Sequence, residues 1–302
     1  MGLLCLLEKI RIPGLNELML LITRLGEETA FLVVALIVFW CVDKKKGYYI
    51  LAVGFLDSMV NHMLKLFCRV PRPWVQNPNF TILEQAREAA AGYSFPSGHT
   101  QTAVGTFGCL AVVTEKKWWR TICIVIAALV GFSRMYIGVH FPSDVLVGAG
   151  ISLILIGILM KPTLHGGMRE MKAVISAMLA VSVLFFLYVS FWNFPADMDL
   201  HNMESGTKNA YTMIGCLTGV AIVYLVDVKY LHFPEKAVWW VQLIKILVGL
   251  GLVLAVKEGL RAPLELIMPV YPARAMRYFL IVVVAGAIWP MSFARLSKLG
   301  SK

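Results

Sequence analysis

Nine apolar stretches recur along the chain, at about 28–42, 48–68, 97–114, 121–139, 143–160, 173–193, 209–227, 237–256 and 278–294. Each is long enough, or nearly so, to cross the hydrocarbon of a bilayer as a helix. The fold class this predicts is all-α, a polytopic transmembrane helical bundle of about nine spans. Composition agrees: 59% of the 302 residues are hydrophobic and only 15% charged, with a mean hydropathy of +0.74, too apolar for an ordinary soluble domain. Residues 1–27 mix apolar and charged positions and contain Pro13 and Gly14. They are too interrupted to span, and they read as one or two interfacial helices.

The net charge of +10 points to orientation rather than to nucleic acid, because Lys and Arg fall in short clusters between the apolar runs. With Lys44–Lys46 on the cytoplasmic side, Lys116, Lys117, Arg120, Lys161, Arg169, Lys172, Lys229, Lys236, Arg295, Lys298 and Lys302 fall on that side too. The opposite side then holds the N-terminus, the loop 69–96, the start of the third span, the junction at 140–144 and an acidic loop with Asp197, Asp199 and Glu204. A loop at 257–277 with Lys257, Arg261, Arg274 and Arg277 is the exception to the bias. Six scattered cysteines with no CxxC support neither a disulfide framework nor a thiolate metal site. Without a basic region followed by a small-residue cleavage site at the start, no removed signal peptide is expected.

Three polar stretches break the apolar pattern, all at outer span ends. Ser133–Asp144 places Arg134, His140 and Asp144 between two spans, an expensive location for idle ionisable groups. Pro142 marks where the next helix starts, which puts Asp144 in its first turn within reach of His140. A carboxylate on one imidazole nitrogen leaves the other free and basic, the arrangement of a nucleophile or a base. Read structurally, the same residues are a polar helix-end network. The second stretch, Tyr93–Thr100, starts a helix with Pro96, Ser97 and Gly98, whose backbone N–H groups suit an anion, and His99 enters at that end. The third, Lys65–Pro73, brings Lys65 and Arg72 to the exit of the second span, where the prolines favour an extended chain.

Lys65 with Arg72-Pro73, then Pro96-Ser97-Gly98-His99, then Ser133-Arg134 with His140 and Asp144, resembles the three-part signature of the type 2 phosphatidic acid phosphatase and vanadium haloperoxidase superfamily. The resemblance implies a six-helix membrane phosphatase core and a phosphohistidine mechanism. His140 would attack phosphorus with Asp144 orienting its ring, and His99 would protonate the leaving alkoxide and later activate water. Lys65, Arg72, Ser97, Gly98 and Arg134 would hold the phosphoryl oxygens. No cofactor and no metal are implied, in keeping with the absence of a carboxylate cluster suited to magnesium. Gly26-Glu27, Phe31, Trp40, Asp43 and Gly47 also look like the long-chain-base phosphate phosphatases, and the nine-span plan is similar to glucose-6-phosphatase.

The expected organisation is interfacial helices at 1–27, a phosphatase core at 28–193 and additional transmembrane helices at 194–302. The expected activity is metal-independent hydrolysis of a lipid phosphate monoester or pyrophosphate, on the outer face of a cell membrane. Polyprenyl pyrophosphate, phosphatidic acid, phosphatidylglycerol phosphate and sphingoid-base phosphate all fit. The alternatives are hydrolysis of a soluble sugar phosphate and a non-enzymatic lipid transporter. Expected partners are the lipid substrate and the bilayer, with no nucleic acid. The last spans select the substrate, form a homo-oligomer contact or close the site laterally, and no motif decides among these. Outside the motifs, Asn61, His62 and Asp57 read as an interhelical network, and Lys245 as a snorkelling residue or a partner of Asp57. Tyr136, Phe95 and Trp74 are candidates to frame the substrate entrance.

Overall fold

A computed structural model of the protein describes residues 1–90 and 92–300, so Lys302 lies outside the described residues. Among the described residues no strand occurs. The N-terminal segment forms two short helices, α1 (Gly2–Lys9) and α2 (Pro13–Thr23), with Pro13 in the first turn of α2. Helices follow at all nine expected positions. They are α3 (Glu28–Cys41), α4 (Lys44–Cys68), then the four-residue α5 (Pro73–Gln76) in the long loop, α6 (Gly98–Val113), α7 (Lys117–Ile137), α8 (Pro142–Met160), α9 (Met168–Phe191), α10 (Leu200–Val226) and α11 (Trp239–Gly259). Short α12 (Arg261–Ile267) precedes α13 (Val270–Val283), and α14 (Phe293–Leu296) lies near the end.

Seven of the nine, α4, α7, α8, α9, α10, α11 and α13 with their flanking turns, are long and apolar enough to cross a membrane. The other two are shorter, at 14 residues for α3 and 16 for α6. Local chemistry explains both. A 3₁₀ turn at Arg24–Gly26 precedes α3, and Asp43 closes the junction after it by accepting the Lys46 N–H at 2.9 Å. Pro96 and the Ser97 cap set the start of α6.

The chain divides into two compact units. The first comprises Met1–Leu32, Val53–Leu159 and Asn193–Gly206. In its core, Ala103, Phe107 and Ala111 of α6 pack on Cys123, Ala127 and Val130 of α7. Each set repeats at three- or four-residue spacing, one face of a helix, and the small side chains let the two backbones approach. Junctions expected on one face of the membrane meet within this unit. Ser94 N–H donates to the Val70 carbonyl at 2.7 Å, Asp199 N–H to the Tyr93 hydroxyl at 3.1 Å, and Leu83 N–H to the Ile137 carbonyl at 3.1 Å.

The second unit comprises Val33–Ala52, Met160–Trp192 and Thr207–Lys302. Here the junctions expected on the other face meet. Lys44 Nζ pairs with Asp227 Oδ1 at 2.8 Å, and Lys45 Nζ reaches the Gly166 carbonyl at 3.1 Å. Helices α10 and α13 pack closely, since a Cβ at Gly215 would collide with the Ala275 carbonyl oxygen. Buried Trp40 donates to the Ala285 carbonyl at 2.8 Å. Lys245 is not a partner of Asp57: its ammonium donates to the carbonyls of Pro234 and Glu235 at 2.9 and 3.0 Å and lies over the Phe293 ring. A buried ammonium needs several acceptors, and a loop that ends in free carbonyls supplies them.

Candidate active site

Every predicted site residue lies in the first unit. Three local devices bring them together. Helix α4 stops at Cys68, and Arg69 takes a positive φ of 51°, so the chain leaves extended and carries Arg72 away from the helix. Helix α7 ends in a left-handed cap at Gly138 (φ 92°), closed by Val139 N–H to the Arg134 carbonyl at 3.1 Å. This turns the backbone within two residues of His140. The start of α6 is tied to the start of α8 by Ser97 N–H donating to the Asp144 carbonyl at 3.0 Å. Gly148 permits that approach, because a Cβ there would fall 2.9 Å from the Ser97 carbonyl oxygen.

His140 sits at the centre, 2% exposed, in the junction between α7 and α8. Its Nδ1 faces Asp144 Oδ2 at 3.4 Å and its Nε2 faces Arg72 Nη1 at 2.9 Å. A guanidinium can only donate, so Nε2 presents its lone pair and Nδ1 carries the hydrogen toward the carboxylate. Asp144 Oδ2 also accepts the Phe141 N–H at 2.9 Å and the Ser94 hydroxyl. Arg72 is itself fixed by the carbonyls of Gly92 and Val139, at 3.1 and 2.9 Å. Burial first, and then the charges of Arg72, Arg134 and Lys65, hold the His140 imidazole well below its ordinary pKa. The donation from Arg72 likewise needs an Nε2 that carries no proton.

His99 opens α6 and lies within electrostatic range of Arg134, Lys65 and Arg72, as it does of His140. Arg134 is buried and donates to Thr23 Oγ1 at 2.7 Å, while its Nε has no hydrogen-bond partner. Lys65 is half-buried on the last turn of α4, in range of Arg72, Arg134 and Asp144. Ser97 Oγ caps α6, accepting from the Thr100 N–H and hydroxyl at 3.4 and 2.9 Å. The structure thus gathers two imidazoles, three cations, one helix N-terminus and one buried carboxylate. Such a cluster can bind an oxyanion against a neutral imidazole lone pair. Among the described residues no cluster of His, Cys, Asp and Glu is built to hold a metal ion.

Below the cluster a buried polar chain supports the Pro96–Ser97 turn. Asn61 donates to the Pro96 carbonyl at 3.2 Å and to Gln101 Oε1 at 2.6 Å, Gln101 donates to Asp57 Oδ1 at 3.2 Å, and Ser152 donates to both Asp57 oxygens at 2.9 Å. The interhelical network expected for Asn61 and Asp57 therefore forms with Gln101 and Ser152. Tyr136 does not frame an entrance: it is fully buried, with its hydroxyl donating to Asn16. Sequence reasoning missed Ser94 and Thr23. Ser94 lay inside a stretch already singled out, three residues before Ser97, whereas no motif marks Thr23.

Residues 45–163 match the PAP2 superfamily, and residues 211–302 match the PAP2 superfamily phosphatase transmembrane extension. The chain is 34% identical over 161 residues to phosphatidylglycerophosphatase B of Bacillus subtilis, covering 48% of this chain and 74% of that one. It is 30% identical over 140 residues to undecaprenyl-diphosphatase of Sulfolobus acidocaldarius, covering 46% and 66%. A 24% identity to glucose-6-phosphatase 3 of Mus musculus extends over 212 residues, 63% of this chain and 60% of that one. With its motifs gathered at one site and two stretches of its length matched, the chain belongs to the PAP2 superfamily of membrane phosphatases.

Proposed function

We propose that the protein hydrolyses a lipid phosphate monoester or pyrophosphate through a phosphohistidine on His140. The observation that carries this reading is the line Asp144–His140–Arg72, in which a neutral imidazole points its Nε2 lone pair into a group of cations. The arriving phosphoryl group takes the Arg72 hydrogen bond onto one of its own oxygens and so uncovers Nε2. Nε2 then forms the bond to phosphorus as the bond to the leaving oxygen breaks, and protonated His99 gives its proton to that oxygen. Neutral His99 next takes a proton from water, the hydroxide displaces Nε2 from phosphorus, and inorganic phosphate leaves. Lys65, Arg72, Arg134, Ser97 and the Gly98 N–H carry the equatorial charge, which is where phosphoryl transfer gains most of its rate.

A membrane-embedded body favours a substrate whose leaving group resides in the bilayer. In this reading the N-terminus and the site lie on the outer face of a cell membrane and the C-terminus is cytoplasmic, which is supported by the Lys and Arg bias of the junctions. The test is phosphate release by purified protein in detergent from polyprenyl pyrophosphate, phosphatidic acid, phosphatidylglycerol phosphate and sphingoid-base phosphate, with glucose 6-phosphate as the fifth substrate. Release from one or more lipids supports the reading. Cleavage of the sugar phosphate alone would replace it with the second reading, which the length of the glucose-6-phosphatase 3 match favours.

A further inference from the structure

The three-part signature leaves the first 27 residues unused, and the superfamily match begins only at residue 45. Yet that segment reaches the site at several points. Arg11 donates from Nε to the Tyr136 carbonyl at 2.9 Å and from Nη1 to the Thr81 carbonyl at 2.8 Å. Asn16 Oδ1 accepts the Tyr136 hydroxyl at 2.8 Å. Both hold the last turn of α7, between Arg134 and His140. Gly26 lies against the start of α6, where a Cβ would fall 2.6 Å from the His99 carbonyl oxygen. Thr23 bonds the Arg134 guanidinium, which makes no other hydrogen bond among the described residues.

That last contact has a specific consequence. Arg134 is 2% exposed, so water does not set its orientation. A long side chain with many rotamers is placed only as well as its anchors place it. The planar fork of a guanidinium transmits one fixed corner to its remaining N–H directions. Thr23 supplies that corner and leaves Nε for another acceptor.

We infer that residues 11–26 form a positioning arm of the active site, in which Thr23 is the positioning residue that aims Arg134 at the phosphoryl oxygens. The inference rests on the phosphatase reading above. It requires no contact between Thr23 and substrate. It predicts that the arm acts on binding of a phosphoryl-like anion as well as on rate.

The test uses the full chain in detergent and orthovanadate, which takes up the five-coordinate geometry of phosphoryl transfer. In Thr23→Val the Ki for vanadate rises about tenfold and kcat falls with a smaller change in KM, while Thr23→Ser stays within about twofold of the parent on all three. A variant that merely folds less well loses rate but keeps its Ki, because Ki does not depend on the active fraction. Thr23→Ala repeats the measurement with a smaller side chain should the valine variant express poorly. Unchanged Ki in these variants, with a parent enzyme that releases phosphate and binds vanadate, overturns the positioning role alone. A parent that does neither overturns the phosphatase reading, and this inference with it.

Discussion

The two units arrange their cations differently. In the unit that carries most of the C-terminal helices, two cations stand apart and each has its own partner: Lys44 has Asp227 at 2.8 Å, and Lys245 has two carbonyls of one loop. In the unit that carries the motifs, Lys65, Arg72 and Arg134 crowd together, and Asp144 is the buried carboxylate among them. Asp144 is already occupied by the Ser94 hydroxyl, the Phe141 N–H and His140. Like charges held close together away from water destabilise a fold. Three cations converge around one engaged carboxylate in the first unit, which is where the proposed phosphoryl anion would bind, and the convergence of charge is the better guide to function than the number of charges.

The contrast can be broken by experiment. The largest effect is expected from His140→Ala, which removes the proposed nucleophile and should lower phosphate release by about a thousandfold or more while lipid binding survives. Turnover close to that of the parent would mean that the cluster merely holds a head group. Next comes Arg72→Lys: the charge remains but the fork that spans Gly92, Val139 and His140 is lost, and kcat/KM should fall by about ten- to a hundredfold. Ser94→Ala removes one of the hydroxyls that fix Asp144, with an expected loss of about tenfold in kcat measured on the same substrate.

The pH profile sharpens the comparison further. Burial and neighbouring cations disfavour the His140 imidazolium, so its pKa in the free enzyme lies below the ordinary value of about 6.5. Protonation would silence His140 as the proposed nucleophile, and the acid limb of kcat/KM should therefore lie below that value. Lys65→Met removes one repelling charge and should move the limb upward. A limb that stays in place would show that His140 does not set it. The smallest effect on activity belongs to the other unit. Lys44→Met should leave kcat unchanged and lower stability by about 1–2 kcal/mol, read from thermal unfolding in detergent, and part of that loss should be recovered in the Lys44→Met, Asp227→Asn double variant.

Much of this was legible in the sequence because the signals were local. Span positions follow from runs of apolar residues, and Pro142 and the Pro96-Ser97-Gly98 turn fix helix starts by their own backbone limits. His140 and Asp144 are four residues apart, so their meeting needed only the start of α8. What could not be read depended on partners far away in the chain. Thr23 meets Arg134 across 111 positions, and Asp57 meets Ser152 across 95, through polar groups too common to form a pattern. Tyr136 looked interfacial because aromatic residues usually are, and its burial follows from the N-terminal helices that cover it. Lys245 reads from sequence as a snorkelling residue or a partner of Asp57, whereas its acceptors are the carbonyls of Pro234 and Glu235, eleven and ten residues before it.

The central claim is that His140 Nε2 becomes bonded to phosphorus during turnover. Rapid quenching of the enzyme with a lipid substrate labelled in its phosphate tests it most directly. An acid-labile, base-stable label that maps to His140 and is missing from His140→Ala is the predicted result. Parent enzyme that turns over substrate fully, yet carries no such label or carries it on another residue, would contradict the account.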